Sequence, residues 1–298
     1  MDKEYKSGIV AMIGRPNAGK STLLNQLMGQ KLAITSDKPQ TTRNSIRGIY
    51  TTDKMQAVFI DTPGVQKPKD ALNQRMMRSV RDSLEGSDLL LYLVDVTAEF
   101  GGGEEFILNI LSSQKLPVFL IINKIDLLKP EQILPLISLY NQKFKFAETI
   151  PLSALTGDGS EILKQLIYQY LPVGPQLYPP DLLSDDTEEQ LFAELIREQI
   201  LRQTEDEIPH SVAVKVERVQ ERASGRLYID AVIYVERDSQ KGIIIGKRGD
   251  KLKTIATAAR QEMERLLGCG VYLDLLVKLK KNWRNDERIL RDIDSRDE

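Results

Sequence analysis

Gly14-Arg15-Pro16-Asn17-Ala18-Gly19-Lys20-Ser21, followed by Thr22, satisfies G-x-x-x-x-G-K-[ST] at every fixed position. Residues 7–13 before it, Ser-Gly-Ile-Val-Ala-Met-Ile, read as a short buried strand, and residues 21–28 after it as the start of an amphipathic helix. Strand, glycine loop and helix together aim a row of backbone N–H groups and a helix N-terminus at one anion. The glycines let the backbone wrap phosphates without a Cβ in the way. Lys20 is placed to reach the β- and γ-phosphates of a nucleotide, and the Ser21 hydroxyl to join a Mg²⁺ shell. A chance glycine-rich turn would lack both flanking elements. The motif specifies a nucleotide without specifying its base.

The totals bound what surrounds this loop. A chain of 298 residues holds two ordinary domains, each large enough for its own core. With 41% hydrophobic and 28% charged residues, the composition is that of a globular protein. One cysteine, Cys269, excludes an internal disulfide framework and fits a reducing compartment, so a cytoplasmic protein is expected. The charged N-terminus Met-Asp-Lys-Glu-Tyr-Lys lacks the apolar stretch of a signal peptide. The longest apolar runs, near 89–94 and 118–122, are too short to span a bilayer and read as core strands. The net charge of −2 conceals an asymmetry: residues 176–209 carry 2 Lys+Arg against 10 Asp+Glu, whereas residues 210–284 carry 16 against 9. A basic segment beside an acidic one is a candidate polyanion-binding module.

Up to residue 170, short apolar runs alternate with helical patterns. Strands are expected over 9–13, 46–51, 55–61, 89–95, 117–123 and 148–151, and helices near 21–29, 72–84, 104–114, 132–143 and 161–170. Such alternation predicts an α/β fold with a mostly parallel sheet and helices on both faces. Ligands of these sheets sit at the carboxyl ends of the strands, where the loops after 13, 60 and 122 converge. Leu171-Pro-Val-Gly-Pro-Gln-Leu-Tyr-Pro-Pro180 forms no regular element. The expected organisation is a nucleotide domain over 1–172, a linker over 173–187 and a second, smaller α+β domain over 188–298. In the latter, a helix over 188–204 is capped from among Asp185, Asp186 and Thr187. Strands over 211–219 and 227–235 follow, then a helical region over 242–267 broken by two glycines, a strand over 271–280 and a short helix over 285–292.

The remaining loops choose the base and the metal. Asn123-Lys124-Ile125-Asp126 ends an apolar strand, and an Asp126 carboxylate can accept from both the N1–H and the 2-amino group of guanine. Adenine offers no such pair, and a site built around those bonds rejects it by a large factor. Lys124 would cover the ring face, Asn123 would tie the loops together, and Ser153-Ala154-Leu155 would add backbone contact to O6. Asp61-Thr62-Pro63-Gly64 ends another strand; Asp61 would hold Mg²⁺ through water, and the Gly64 N–H would meet the γ-phosphate. In Gln40-Thr41-Thr42-Arg43-Asn44 between these motifs, we choose Thr42 over Thr41 to give its hydroxyl to Mg²⁺ and its backbone to the γ-phosphate.

Ile243-Ile-Ile-Gly-Lys-Arg-Gly-Asp-Lys-Leu252 resembles the K-homology (KH) signature of an apolar lead, a G-x-x-G loop and an amphipathic helix. Gly246 and Gly249 would let a nucleic-acid strand lie against the backbone, with Lys247 and Arg248 on its phosphates. Ile245, Lys251 and Leu252 would flank a groove for about four bases. Lys278, Lys280, Lys281 and Arg284 are candidates to extend the basic surface. A lone G-x-x-G is also the pattern of a helix–helix turn; the basic segment and the element order favour RNA. His210, Trp283 and the Met76-Met77 pair read as structural, and Cys269 as a small buried or loop residue.

With all five motifs in order and spacing, and with Gly-Arg-Pro-Asn-x-Gly-Lys-Ser-Thr, Gln-Thr-Thr-Arg and Asp-Thr-Pro-Gly in place, the chain resembles the bacterial Era GTPase family over nearly its whole length. The resemblance implies a P-loop GTPase domain followed by a type II KH domain. It also implies hydrolysis of GTP to GDP, and a switch acting on 16S rRNA near its 3′ end during maturation of the 30S subunit. A monomer, partly associated with the inner face of the cell membrane, is implied as well. The bound nucleotide would contact residues 14–22, Asp61, Thr62, Pro63, Gly64 and Val65 as well as the guanine loops. Val65 stands where Ras-like GTPases carry a water-positioning glutamine, which implies slow intrinsic turnover. Asn17 resembles the asparagine that ligates K⁺ in related GTPases. Lys20, Thr42, Gly64 and Asn17 are thus the residues expected to act on the transferred phosphate. Two other readings compete: a peripheral membrane signalling GTPase whose basic module binds anionic lipid, and a P-loop kinase using ATP, which Asn123–Asp126 disfavours.

Overall fold

Apolar residues in the central strands occupy consecutive positions rather than alternate ones, so both faces of the sheet must be covered. The computed structural model of the chain describes residues 4–290, apart from 39, 69, 207, 223, 224 and 288, and shows that arrangement. Its elements fall into two compact units. One comprises Met1–Thr35, Thr42–Pro68 and Arg75–Asp185; the other comprises Ser36–Thr41, Lys69–Gln74 and Asp186–Glu298.

In the first unit the strands are β1 (Lys6–Gly14), β2 (Ile46–Thr51), β3 (Met55–Asp61), β4 (Leu89–Asp95), β5 (Val118–Asn123) and β6 (Glu148–Leu152). They form one sheet in the order β2-β3-β1-β4-β5-β6, parallel except for the antiparallel β2 edge. Period-two alternation sorts their side chains. Leu89, Leu91 and Leu93 of β4 share a core with Leu23, Leu24 and Leu27 of α1 (Lys20–Met28) and Leu163 and Ile167 of α5 (Ser160–Tyr170). Leu90, Tyr92 and Val94 share the opposite core with α2 (Ala71–Glu85), α3 (Gly102–Ser112) and Tyr140 of α4 (Ile133–Asn141).

Residues 175–185 belong to this unit rather than hanging free. Gln56, fully buried, accepts from the backbone N–H groups of Leu177 (2.6 Å) and Tyr178 (2.9 Å) and donates to the Tyr178 carbonyl (2.9 Å). The Ile49 N–H of edge strand β2 donates to the Leu183 carbonyl at 2.9 Å, and Arg47 pairs with Asp185 at 2.7 Å. An edge strand leaves backbone groups unpaired, and this segment satisfies one of them.

The second unit begins on α6 (Glu188–Gln203), where Thr187 is the N-cap. Its hydroxyl accepts from the Gln190 N–H at 3.4 Å, and the Gln190 side chain accepts from the Thr187 N–H at 3.0 Å. Such a reciprocal box is worth about 1 kcal/mol. A four-residue helix, α7 (Ile208–Ser211), precedes β7 (Ala213–Glu221), β8 (Leu227–Val235), α8 (Asp238–Ile245), α9 (Asp250–Leu267) and β9 (Val271–Leu279). The sheet order is β7-β8-β9, with β8 and β9 parallel across the α8–α9 crossover. Helix α6 packs on α9 and β7, and α9 on β9. Phe192, Ile196, Ile255, Ala259 and Met263 are fully buried there. Trp283 is buried, with its indole N–H donating to the Ser211 carbonyl at 2.9 Å. The helix expected over 285–292 runs past the described residues, as do the chain's end at 298 and the side chain of His210.

Candidate functional site

Three parallel strands deliver the loops that meet at the sheet's carboxyl edge, and one buried side chain joins them. Asn123, 1% exposed at the end of β5, donates from Nδ2 to the Ala18 carbonyl of the phosphate loop at 2.8 Å. Its Oδ1 accepts from the backbone N–H of Lys124 at 2.8 Å and of Ala154 at 2.9 Å. One amide therefore holds the phosphate loop, the Asn123–Asp126 loop and the Ser153–Leu155 loop in fixed relation.

The Asp61–Val65 segment is tied in by its backbone. The Val65 N–H donates to the Gly14 carbonyl at 3.0 Å, and the Thr62 hydroxyl to the Met12 carbonyl at 2.6 Å. Gly64 lies so close to the phosphate loop that a Cβ there would sit 2.8 Å from the Pro16 backbone. Val65 turns its side chain into the core, 4% exposed.

Lys20, at the start of α1, is 5% exposed, with Nζ 3.3 Å from the Arg15 carbonyl and 3.5 Å from that of Gly14. Burial pulls its pKa below the ordinary lysine value, against the opposing pull of Asp61. Asp61, fully buried at the end of β3, is pushed the other way by burial, against the lowering effects of Lys20, Ser21 and Thr42. Its Oδ2 accepts from the Ser21 hydroxyl at 2.6 Å and the Thr42 hydroxyl at 3.2 Å, and those hydroxyls are 2.9 Å apart. Asp61 Oδ1 is buried without a hydrogen-bond partner. A desolvated lysine and an orphaned carboxylate oxygen beside two hydroxyls fit a phosphate-bound divalent cation. Among the described residues no group of three His, Cys, Asp or Glu gathers at one point. One carboxylate and two hydroxyls, completed by phosphate and water oxygens, suit Mg²⁺.

The other sequence-predicted residues line the same edge. Asn17 is exposed and adopts φ 66° at the loop's turn, whereas Ala18 is buried. Arg15, Pro16, Gly19, Ser21 and Thr22 are partly buried. Lys124 adopts φ 70°, and its Nζ bonds Asp95 Oδ2 at 2.5 Å. Asp126 is exposed, Ser153 and Ala154 are buried, and Leu155 is 76% exposed. Thr41 and Thr42 are both buried, but only the Thr42 hydroxyl turns to Asp61; that of Thr41 donates to the carbonyls of Ser36 (3.2 Å) and Lys38 (2.6 Å).

Sequence reasoning missed two supports. Asp95 ends β4 beside Lys124; burial raises its pKa, but hydrogen bonds from Lys124 and Thr97 outweigh that and leave it lowered. Its position, a carboxylate closing an apolar strand at the ligand edge, was a readable signal. Glu104 on α3, 2% exposed, accepts from the Tyr92 hydroxyl and lies 3.6 Å from Arg15, and burial raises its pKa. Nothing local in the sequence announces that cluster.

In the second unit, Gly246 follows α8 at φ 72°, ψ −178°, and a Cβ there would meet Lys251 Cβ at 2.5 Å. Lys247 and Arg248 are exposed in the turn, Arg248 at φ 55°, before Gly249 caps α9. Ile245, Lys251 and Leu252 are partly buried beside it, while Ile243 is 50% exposed. Lys281 is exposed beyond β9. Lys278 and Arg284 are engaged by Glu217 (3.7 Å) and Glu236 (2.6 Å), so Lys280 and Lys281 contribute more open charge.

A family model described as a 50S ribosome-binding GTPase matches residues 9–124, and one described as a KH domain matches residues 207–284. The chain is 51% identical over 292 residues to GTPase Era of Lactobacillus helveticus (strain DPC 4571), covering 98% of this chain and 97% of that protein. Two crystal structures superpose at TM-score 0.94 and 39% identity, covering 97% of this chain and 98% of theirs. One is a single-residue variant of Aquifex aeolicus Era bound to GDP and AlF4⁻; the other is Era in complex with MgGDPNP and nucleotides 1506–1542 of 16S ribosomal RNA. A P-loop domain whose nucleotide loops share one asparagine, followed by a KH domain and matched end to end by these relatives, places the chain in the Era family of GTPases.

Proposed function

We propose that this chain is a Mg²⁺-dependent switch that binds and hydrolyses GTP and grips the 3′ region of 16S rRNA during assembly of the 30S subunit. The observation that carries the nucleotide half is the Asn123 junction, because it fixes the phosphate loop and both base-reading loops in one geometry. Lys20 places a buried positive charge against the β- and γ-phosphates, where low dielectric strengthens it. The Gly64 N–H and the Thr42 backbone orient the γ-phosphate, and Asp126 selects guanine. The Ser21 and Thr42 hydroxyls and the Asp61 carboxylate would hold Mg²⁺, which would neutralise charge on the phosphate oxygens. Val65 presents no group able to orient water, so the chain's own residues supply positioning and charge, and intrinsic turnover is slow. Asn17 is assigned to K⁺, and equal hydrolysis rates in KCl and NaCl would remove it from that role.

Support for the RNA half comes from the glycine-bounded Lys247–Arg248 turn beside partly buried apolar residues, and from the rRNA-bound Era structure. The test is fluorescence anisotropy with a labelled 16S 3′-end oligonucleotide, a scrambled control and anionic vesicles, together with GTP/ATP competition. Preference for the 3′-end sequence and for GTP is expected. Equal binding of the scrambled strand, tighter binding of vesicles, or displacement of GTP by equimolar ATP would overturn the assignment.

A further inference from the structure

The second unit includes two short stretches that border the nucleotide motifs in sequence. Ser36–Thr41 runs into Thr42, and Lys69–Gln74 follows the Asp61–Val65 segment. Inside that unit both are gripped by polar side chains. Arg197 of α6 is 2% exposed and directs Nη1 to the Gln40 carbonyl at 3.2 Å and Nη2 to the Thr41 carbonyl. Glu194 fixes the guanidinium plane by accepting from Nε at 2.8 Å and from Nη2. The Gln40 side chain donates to Asn73 Oδ1 at 3.1 Å, and Asp70 accepts from the Asn73 N–H at 2.8 Å. Gln40 holds φ 63°, a conformation that a non-glycine residue keeps only when its surroundings impose it.

The Thr41 carbonyl belongs to the peptide bond that carries the Thr42 N–H. Thr42 is the residue whose hydroxyl turns toward Ser21 and Asp61. A loop that follows the γ-phosphate must move Thr42, and moving Thr42 moves the carbonyl on which a buried guanidinium depends. Such a group does not surrender its acceptors cheaply: hydrogen bonds to an ion are about twice as strong as neutral ones, and an unpaired buried charge is heavily penalised.

We infer that Arg197 is the positioning residue through which the nucleotide's state reaches the RNA-binding unit: it holds the Gln40–Thr41 backbone when Thr42 faces Asp61 and loses that hold when Thr42 withdraws. This rests on the reading of the chain as a nucleotide-dependent RNA switch. Arg197 touches neither nucleotide nor RNA in this scheme. It acts on the ratio between two affinities.

The experiment measures the dissociation constant of the 16S 3′-end oligonucleotide for the full chain loaded with GDP and with GDPNP, in wild type and in Arg197→Lys. Lysine keeps the charge and removes the planar fork. Wild type is expected to show a ratio of five-fold or more between the two states, collapsing to within two-fold in the variant. GDP affinity should be unchanged. In a Thr42→Ala background the Arg197→Lys change should have no further effect on the ratio, whereas a merely structural role would leave that ratio untouched in either background. Should Arg197→Lys fail to fold, Glu194→Gln, which loosens the guanidinium and leaves the carbonyls in place, carries the same expectation at smaller size. A wild-type ratio preserved in the variants overturns the role of Arg197 alone. A wild type with no ratio overturns the switch reading, and this inference with it.

Discussion

Replacing Asn123 with alanine removes a side chain that touches no substrate atom yet should damage both stability and nucleotide binding. Three hydrogen bonds disappear, two of them buried (to the Ala18 carbonyl and from the Ala154 N–H) and one part-buried (from the Lys124 N–H). At about 1 kcal/mol net each, the loss is about 3 kcal/mol. For a domain of this size each kcal/mol moves Tm by about 2–4 °C, so the apo protein should melt about 6–12 °C lower. Loops no longer held together must also be ordered when the ligand binds, and a further cost of about 1.5 kcal/mol at that step weakens the GTP Kd about tenfold. Differential scanning fluorimetry and titration with a fluorescent GTP analogue read the two effects separately. Asn123→Asp keeps the two acceptor contacts, loses the donor and sets a negative charge against the Ala18 carbonyl. It should retain the Asn123–Asp126 and Ser153–Leu155 loops while losing the phosphate-loop tie. Unchanged melting and unchanged GTP affinity in Asn123→Ala would refute the idea that one amide assembles the site.

Four further outcomes are expected. Lys20→Ala removes the buried cation and should all but abolish GTP binding, which the same titration checks. Asp126→Asn replaces two acceptor oxygens with an acceptor and a donor, so preference should shift from guanosine toward xanthosine triphosphate, measured by competition. Gly246→Ala forces a Cβ onto Lys251 at a backbone conformation that alanine resists, and should weaken oligonucleotide binding while GTP hydrolysis stays near wild type. Removing Mg²⁺ with EDTA should stop phosphate release, and restoring the ion should recover it.

Much of the site could be read from the sequence because its chemistry is local. A phosphate loop needs glycines, a lysine and a hydroxyl within nine positions, and Asn123–Asp126 presents its groups within four. The strands were legible for a similar reason: Leu89–Asp95 and Val118–Asn123 are apolar at consecutive positions because both faces are covered. What stayed hidden is long-range. Arg197 lies 156 residues from Thr41, and an arginine on a polar helix ordinarily reads as a solvated one. Gln56 binds residues 121 and 122 positions away, which turned an apparent tether into a segment fastened along the first unit. The Tyr92–Glu104–Arg15 cluster exists because a charged helix start faces a core strand, a juxtaposition that periodicity does not encode.

The central claim is that guanine nucleotide and RNA sense each other through this chain. Its most direct test is the GDPNP dissociation constant with and without saturating 16S 3′-end oligonucleotide, since coupling free energy is reciprocal. The account predicts a shift of about five-fold or more between the two titrations, in line with couplings of about 1–3 kcal/mol. Superimposable titrations would contradict it.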